Sequence, residues 1–298
     1  MKILRPAPLN LAESNVEEND APLWDNEHSY SYGDEVLRRH KIYVSNTQEE
    51  NIGIDPLDED QNLVEARWLF KAPTNRYALL DDLIYTQTQT EGQTIVVELE
   101  VTTAFNTIAL LNLETSHTTV EIIHGGTSTL VGEIFSGAVP VDNWWDWVNT
   151  IFHPLTDRHI FENAIGYAGS IVKLTINGAT PKIGHVLIGN SITIGETNQE
   201  RTRLKKQTYT DITRSAFGDG VVVTKRATAR DITYGVSAKV DGFDAIFKSL
   251  DELDGIPVVT FVSSELRLLI SYGYITHTDI PFDAQNDFKF TIINRGIT

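Results

Sequence analysis

The sequence predicts a mainly β protein with a small aromatic β module, a β-sandwich and a C-terminal α+β unit that has one helix on an antiparallel sheet. Two observations lead to this class. Short apolar runs with strand-like alternation recur along the chain, and Gly and Asn residues separate them. Only one long segment, near residues 241–255, has the spacing of an amphipathic helix. At 298 residues the chain is long enough for several units of this kind.

Residues 1–20 are expected to form an extended arm. Pro6 and Pro8 interrupt regular structure, and an acidic segment follows them. The apolar residues of this arm would either dock on a partner or remain disordered.

Residues 21–63 are predicted to form a small β unit around a Gly33–Asp34 turn. About 40 residues bury little apolar surface, so aromatic rings are expected to supply most of the core. The rings concerned are Trp24, Tyr30, Tyr32 and Tyr43. The alternative is that one or two of them stay exposed and bind sugar. The small size of the unit favours the core.

Residues 64–190 are predicted to form the β-sandwich, because several short apolar or alternating runs follow one another without helices. The clearest are Thr94–Val101, Thr107–Leu113, Thr118–His124, Ile171–Ile176 and Lys182–Gly189. Residues 191–298 are predicted to form the α+β unit. Its helix is expected to begin at Asp241, to end at Gly255 and to carry one apolar stripe, made of Phe243, Ile246, Phe247, Leu250 and Leu253.

The segment 139–167 lacks strand alternation and holds Trp144, Trp145 and Trp147. Its helical apolar spacing predicts a connection between sandwich strands rather than a strand. Three interpretations stay open for the rings: a sugar platform, a core plug, or a patch that a neighbouring subunit covers. Core and assembly together are favoured, since exposed apolar patches usually mark contacts with partners.

Composition excludes several function classes. The net charge is −17, carried as −9 over residues 1–63, −7 over 64–190 and −1 over 191–298, so nucleic acid is not an expected partner. No stretch has the roughly 20 apolar residues of a spanning helix, so no membrane insertion is expected. There is no cysteine, and the eight histidines show no zinc spacing. No metal, cofactor or catalytic residue is predicted, and the chain is expected not to be an enzyme.

Three segments carry a resemblance to known families. Trp24, Tyr30, Gly33–Asp34 and Tyr43, with Trp68 further on, resemble the small carbohydrate-binding modules of chitinases. The segment beginning "APTNRYALLDD", with the runs from Thr94 to Leu113 and from Ile171 to Gly189, looks like a galactose-binding-like (discoidin-type) jelly roll. In the C-terminal unit, "TYTDITRSAFGDGVVVTKR" and "YGYITHTDIPF" resemble tail components of tailed bacteriophages.

The resemblance implies a non-enzymatic virion protein of a bacteriophage tail, at the collar, on the tube or at the tip. It would assemble in the host cytoplasm as a symmetric homo-oligomer and dock other tail proteins. The nearly neutral residues 191–298 are expected to face other subunits, because like charges oppose close packing of the rest. The alternative is a receptor-binding protein for a host-surface polysaccharide. A glycan-cleaving enzyme, a third hypothesis, would need two facing carboxylates.

Overall fold

The protein is described by a computed structural model that covers residues 1–58, 66–135, 143–149, 157–214, 221–224, 228–239, 242–279 and 287–297. It is mainly β with antiparallel sheets, as predicted. Up to residue 135 the strands are β1 (Lys2–Pro6), β2 (Leu9–Ser14), β3 (Glu35–Arg38), β4 (Lys41–Ser45), β5 (Trp68–Pro73), β6 (Thr88–Gln89), β7 (Thr94–Val101), β8 (Phe105–Glu114), β9 (His117–His124) and β10 (Thr127–Phe135).

Two short helices and the remaining strands follow. They are α1 (Trp144–Asn149), β11 (Arg158–Gly166), β12 (Ser170–Asn177), β13 (Lys182–Thr193), β14 (Glu196–Thr208), β15 (Asp211–Arg214), β16 (Val221–Thr224), β17 (Thr228–Lys239), α2 (Phe243–Asp251), β18 (Val258–Phe261), β19 (Ser271–Asp279) and β20 (Asp287–Gly296).

The sandwich consists of a five-stranded sheet packed on part of a larger one. The five-stranded sheet has the order β10-β9-β12-β7-β2, and the larger sheet has the order β11-β8-β13-β1-β18-β19-β20-β17-β14, with β6 beside β13. On β12, Val172, Leu174 and Ile176 are fully buried while the residues between them are half-buried. This period of two is what directs one face of a strand into a core.

The larger sheet continues from the sandwich into the C-terminal unit. Helix α2 covers that half, where Leu250 and Leu253 are buried and Ile246 is partly buried in one apolar cluster. Phe247, predicted to lie on the same stripe, is exposed. Asp241, the predicted helix start, and the side chain of Phe243 lie outside the described residues. The helix ends at Asp251, before the predicted end at Gly255. Gly255 lies in the turn that follows, with φ of 72°, a left-handed conformation that glycine adopts readily.

Residues 1–14 are predicted as part of an extended arm, whereas the structure places them in the two sheets. β1 lies between β13 and β18, and β2 pairs with β7. Ile3 and Leu4 have no solvent exposure. The prolines do not prevent this, because Pro6 ends β1 and Pro8 lies in the crossing to the other sheet, where no ladder hydrogen bond from their nitrogen is needed.

The small aromatic unit is a sheet of order β3-β4-β5. Its third strand, β5, comes from beyond residue 63, so this unit reaches Pro73. The predicted boundary at residue 190 falls inside β13, which pairs with strands on both sides. The unit boundaries predicted from the sequence, at residues 63 and 190, therefore differ from the boundaries that the sheets define. Within the described ranges, no helix has the length and apolarity that crossing a membrane requires.

Candidate functional site

The tryptophan segment forms helix α1 in the connection between β10 and β11, which confirms the predicted helical connection at these rings. For the rest of the segment 139–167 the prediction of no strand is wrong, because β11 occupies Arg158–Gly166. Trp144 is 72% exposed and Trp145 is 66% exposed, and their ring centroids are 6.1 Å apart. Val148, one turn further on, is also exposed. The side chain of Trp147 lies outside the described residues. At least two of the three rings are therefore on the surface of the single chain.

Helix geometry explains part of this exposure. Successive residues of an α-helix point about 100° apart, so Trp144 and Trp145 cannot both face the same underlying core. Helix α1 has six residues, which is short for an independently stable helix. Apolar surface of this kind usually marks a place where another molecule binds.

The two strands that α1 connects are edge strands. β10 ends the five-stranded sheet and β11 ends the larger sheet, so each has one side without a neighbouring strand in the described sheets. Large apolar side chains are exposed on and beside them, namely Leu130, Phe135, Ile165 and Tyr167. This edge of the sandwich, together with α1, is called the aromatic edge below.

A cavity of about 340 Å³ opens at the aromatic edge, between β10 and the end of β11. His124, Thr127, Asn163, Tyr167 and Ser170 contribute its polar lining. The hydroxyl of Ser170 lies 3.1 Å from Nδ1 of His124, whose ring centroid is 5.3 Å from that of Tyr167. The β11 ladder is interrupted between Glu162 and Gly166, and Asn163 there has φ of 64°. This irregularity opens the edge that the cavity uses.

Glu162 is the carboxylate that lines this cavity in the described part of the chain. It pairs with the ammonium group of Lys2 and accepts a 2.9 Å hydrogen bond from the backbone N–H of Ser264. Burial works to raise the pKa of Glu162, but these two partners outweigh it and lower the pKa. The described lining therefore lacks the pair of carboxylates that glycoside hydrolysis needs. It offers hydrogen bonds and one aromatic ring.

In the small unit the four aromatic residues named from the sequence differ in burial. Tyr30 and Tyr43 are buried with Trp68, and the Tyr30 and Trp68 rings meet edge to face at 5.2 Å. Trp24 is half-buried, with the guanidinium of Arg38 over its ring at 4.9 Å. Tyr32 is 61% exposed. Two of the four rings are thus core, and the arrangement does not present the four as one exposed platform.

Sequence reasoning missed the exposed side chains on β10 and at the end of β11. Leu130 sits in a run whose alternation resembles that of any half-buried strand, and Ile165 lies in the segment 139–167, where no strand is predicted. Which strands are at a sheet edge depends on pairing, and pairing is not visible in local alternation. The one local signal is the Gly125–Gly126 turn, which marks a tight hairpin into β10.

Comparisons with known proteins add little. No protein-family model matches the chain, and no curated protein matches it. Among solved structures, a GH29 fucosidase from Ruminococcus gnavus in complex with fucose is similar over 39% of this chain and 22% of that chain, with 14% identity and a TM-score of 0.30. The chain thus spans about a fifth of the length of that fucosidase. A similarity at this level carries no inference about function.

Proposed function

We propose that this chain is a non-enzymatic structural component of a bacteriophage tail, which assembles as a symmetric homo-oligomer and docks other tail proteins. The assignment to a tail rests on the sequence resemblance of the C-terminal unit. The structural observation that carries the assembly part of the proposal is the exposure of Trp144 and Trp145. Tryptophan is enriched among residues that dominate binding energy at protein interfaces.

A second exposed region supports a head-to-tail arrangement. Strand β14 forms the opposite edge of the larger sheet and carries four basic residues, Arg201, Arg203, Lys205 and Lys206, all exposed. The β15–β16 hairpin follows it, with Ile212 and Val223 exposed. Residues 1–190 carry a net charge of −16, the sum of −9 and −7. Contact between the basic edge of one copy and the acidic part of the next is electrostatically favourable and closes into a ring if the rotation allows it.

The test is a double substitution at the exposed helix, Trp144→Ala with Trp145→Ala. We expect the variant to stay folded but to assemble poorly, because loss of an interface anchor costs about 2 kcal/mol or more per ring and a symmetric assembly repeats the loss. Oligomer mass by light scattering and incorporation into virions measure the effect. Tyr32→Ala, which also removes an exposed ring, is the matched control and should assemble normally.

Tryptophan fluorescence gives an independent measurement. The emission should shift to shorter wavelength when subunits assemble, since the rings leave water. A double variant that assembles like the unmodified chain would overturn the role of α1. A chain that is absent from purified virions would overturn the tail assignment itself.

The second candidate is binding of a host-surface polysaccharide. The cavity at the aromatic edge favours it, because an exposed Tyr167 ring beside polar side chains suits a sugar ring. A glycan array probed with the full chain tests this function. Binding that Tyr167→Ala removes without loss of the fold would support it, and an array without any hit would contradict it.

A further inference from the structure

A second cavity is smaller than the cavity at the aromatic edge and has different lining residues. Its volume is about 130 Å³, and its polar lining includes Asn112, Asp157, Arg158, Thr228 and Arg230. These residues come from distant positions in the larger sheet, since Arg158 is on β11 and Arg230 is on β17. The sheet curls enough to bring them together, and Arg158 donates a 2.8 Å hydrogen bond to the carbonyl oxygen of Ile270, just before β19.

The guanidinium of Arg158 is incompletely satisfied. Its side chain is only 11% exposed, and its Nε atom is buried without a hydrogen-bond partner. The nearest carboxylate oxygen, on Asp157, is 3.5 Å from that Nε, longer than the roughly 2.7–3.2 Å of a well-formed hydrogen bond. A buried donor on a charged group without an acceptor costs free energy. Asp157 therefore satisfies this donor only weakly, and a closer acceptor would stabilise it.

The local charge is positive. Arg158 and Arg230 contribute two positive charges, and one NH group of Arg230 is also 3.5 Å from the same oxygen of Asp157. Asp157 is the carboxylate among the residues lining this cavity, and its side chain is half exposed. Burial lowers the pKa of Arg158, and repulsion from Arg230 lowers it further, against the opposing effect of Asp157. An additional negative charge would reduce the repulsion between the two guanidinium groups.

From this geometry we infer that the cavity binds a small oxyanion, of the phosphate or sulfate type. Two guanidinium groups that converge on one polar cavity form the donor arrangement that such anions prefer. The volume of about 130 Å³ is well above the roughly 10–15 Å³ that one water molecule requires, which leaves room for a tetrahedral anion. The anion would join the sandwich half of the larger sheet to its C-terminal half. This inference does not depend on the proposed tail function.

Titration of the full chain with sodium phosphate tests the inference, with sodium chloride at matched ionic strength as the reference. We expect a saturable rise in the thermal midpoint with phosphate, because a ligand that binds only the folded state stabilises it. Calorimetric titration gives the dissociation constant. Arg230→Gln should weaken phosphate binding at least tenfold, whereas Arg203→Gln, which removes an exposed arginine on β14, should leave it unchanged.

Arg158→Gln loses the bond to Ile270 and can fail to fold, so Arg158→Lys is the second variant. It keeps the charge but lacks the forked donors, and it should also bind phosphate more weakly. Glycerol 1-phosphate distinguishes two sources of the anion. If it binds as tightly as inorganic phosphate, the site accepts the phosphate group of a larger ligand; if only inorganic phosphate binds, the site takes a free anion. No saturable effect beyond that of chloride, or equal affinity in Arg230→Gln, would overturn the inference and leave ordered water as the occupant.

Discussion

Trp68 has no solvent exposure, and its indole N–H donates a 2.9 Å hydrogen bond to the carbonyl oxygen of Ile54. It packs with Tyr30 and Tyr43 in a cluster of only a few buried residues. In so small a core one large ring supplies much of the buried apolar area. Tyr32, two residues after Tyr30, points to solvent instead. At the scale of single residues, the same ring chemistry thus serves the core at one position and the surface at another.

We expect Trp68→Ala to destabilise the small unit by about 3–5 kcal/mol, the usual cost of removing a buried large aromatic side chain. Tyr32→Ala should change stability by less than about 0.5 kcal/mol, as exposed substitutions usually do. Chemical unfolding monitored by near-ultraviolet circular dichroism measures both. Equal effects of the two substitutions would contradict the division of these rings into core and surface.

Strand β1 is the element that joins the two halves of the larger sheet. Its Ile3 side chain enters the core under α2, while Leu4 enters the core on the opposite face of the sheet. On one side β1 lies very close to β13, where a side chain on Gly189 would place Cβ 1.9 Å from the carbonyl oxygen of Arg5. Backbone atoms cannot yield as a flexible side chain can. Glycine at position 189 is therefore required for this pairing.

Gly189→Ala should force β1 away from β13 and cost about 3 kcal/mol, at the upper end of what overpacking usually costs. The matched control is Gly92→Ala in an exposed turn, where the nearest atom to the new Cβ is a threonine hydroxyl at 3.4 Å. Urea unfolding compares the two variants, and hydrogen exchange of the β1 amides locates the damage. If Gly189→Ala leaves the hydrogen-exchange protection of the β1 amides unchanged, β1 and β13 are not packed as closely as described.

At the scale of the whole molecule, stability depends on pH through a few buried or partly buried groups. Burial lowers the pKa of both His159 and His185 to about 4. Burial raises the pKa of Asp81 to about 6, and repulsion from Asp82 adds to it. The two histidines stabilise the fold fully above about pH 6.5, and this contribution is lost as pH falls toward 4. Asp81 works in the opposite direction, because its burial penalty grows as pH rises from about 4 to about 6.

For His185 alone, the shift predicts a loss of about 2 kcal/mol in the free energy of unfolding between pH 7.5 and pH 5. His185→Gln should remove that part of the pH dependence, and Asp81→Asn should make the remaining loss on acidification steeper. Urea unfolding at the two pH values, at one protein concentration, measures this. If His185→Gln has the same pH dependence as the unmodified chain, the imidazole titrates with the same pKa in the folded and the unfolded state.

The sequence by itself predicts the mainly β class, helix α2 and five strands of the sandwich, β7, β8, β9, β12 and β13. It also predicts that the tryptophan segment is a helical connection. These features depend on local periodicity and on turn residues, which neighbours in the chain determine. The preference for a core role of Tyr30 and Tyr43 also comes from the sequence, because the small unit is short and few other residues can form its core. Both side chains are buried in the structure.

Only the tertiary structure decides that Lys2–Pro6 lies inside a sheet, that β5 completes the small sheet, and that β10 and β11 are edge strands. It also brings Arg158 and Arg230 to one cavity from strands at distant positions in the sheet order. Strand pairing joins residues that are far apart in the chain. It is set by the burial of apolar faces in the complete molecule, so no short window of sequence contains it.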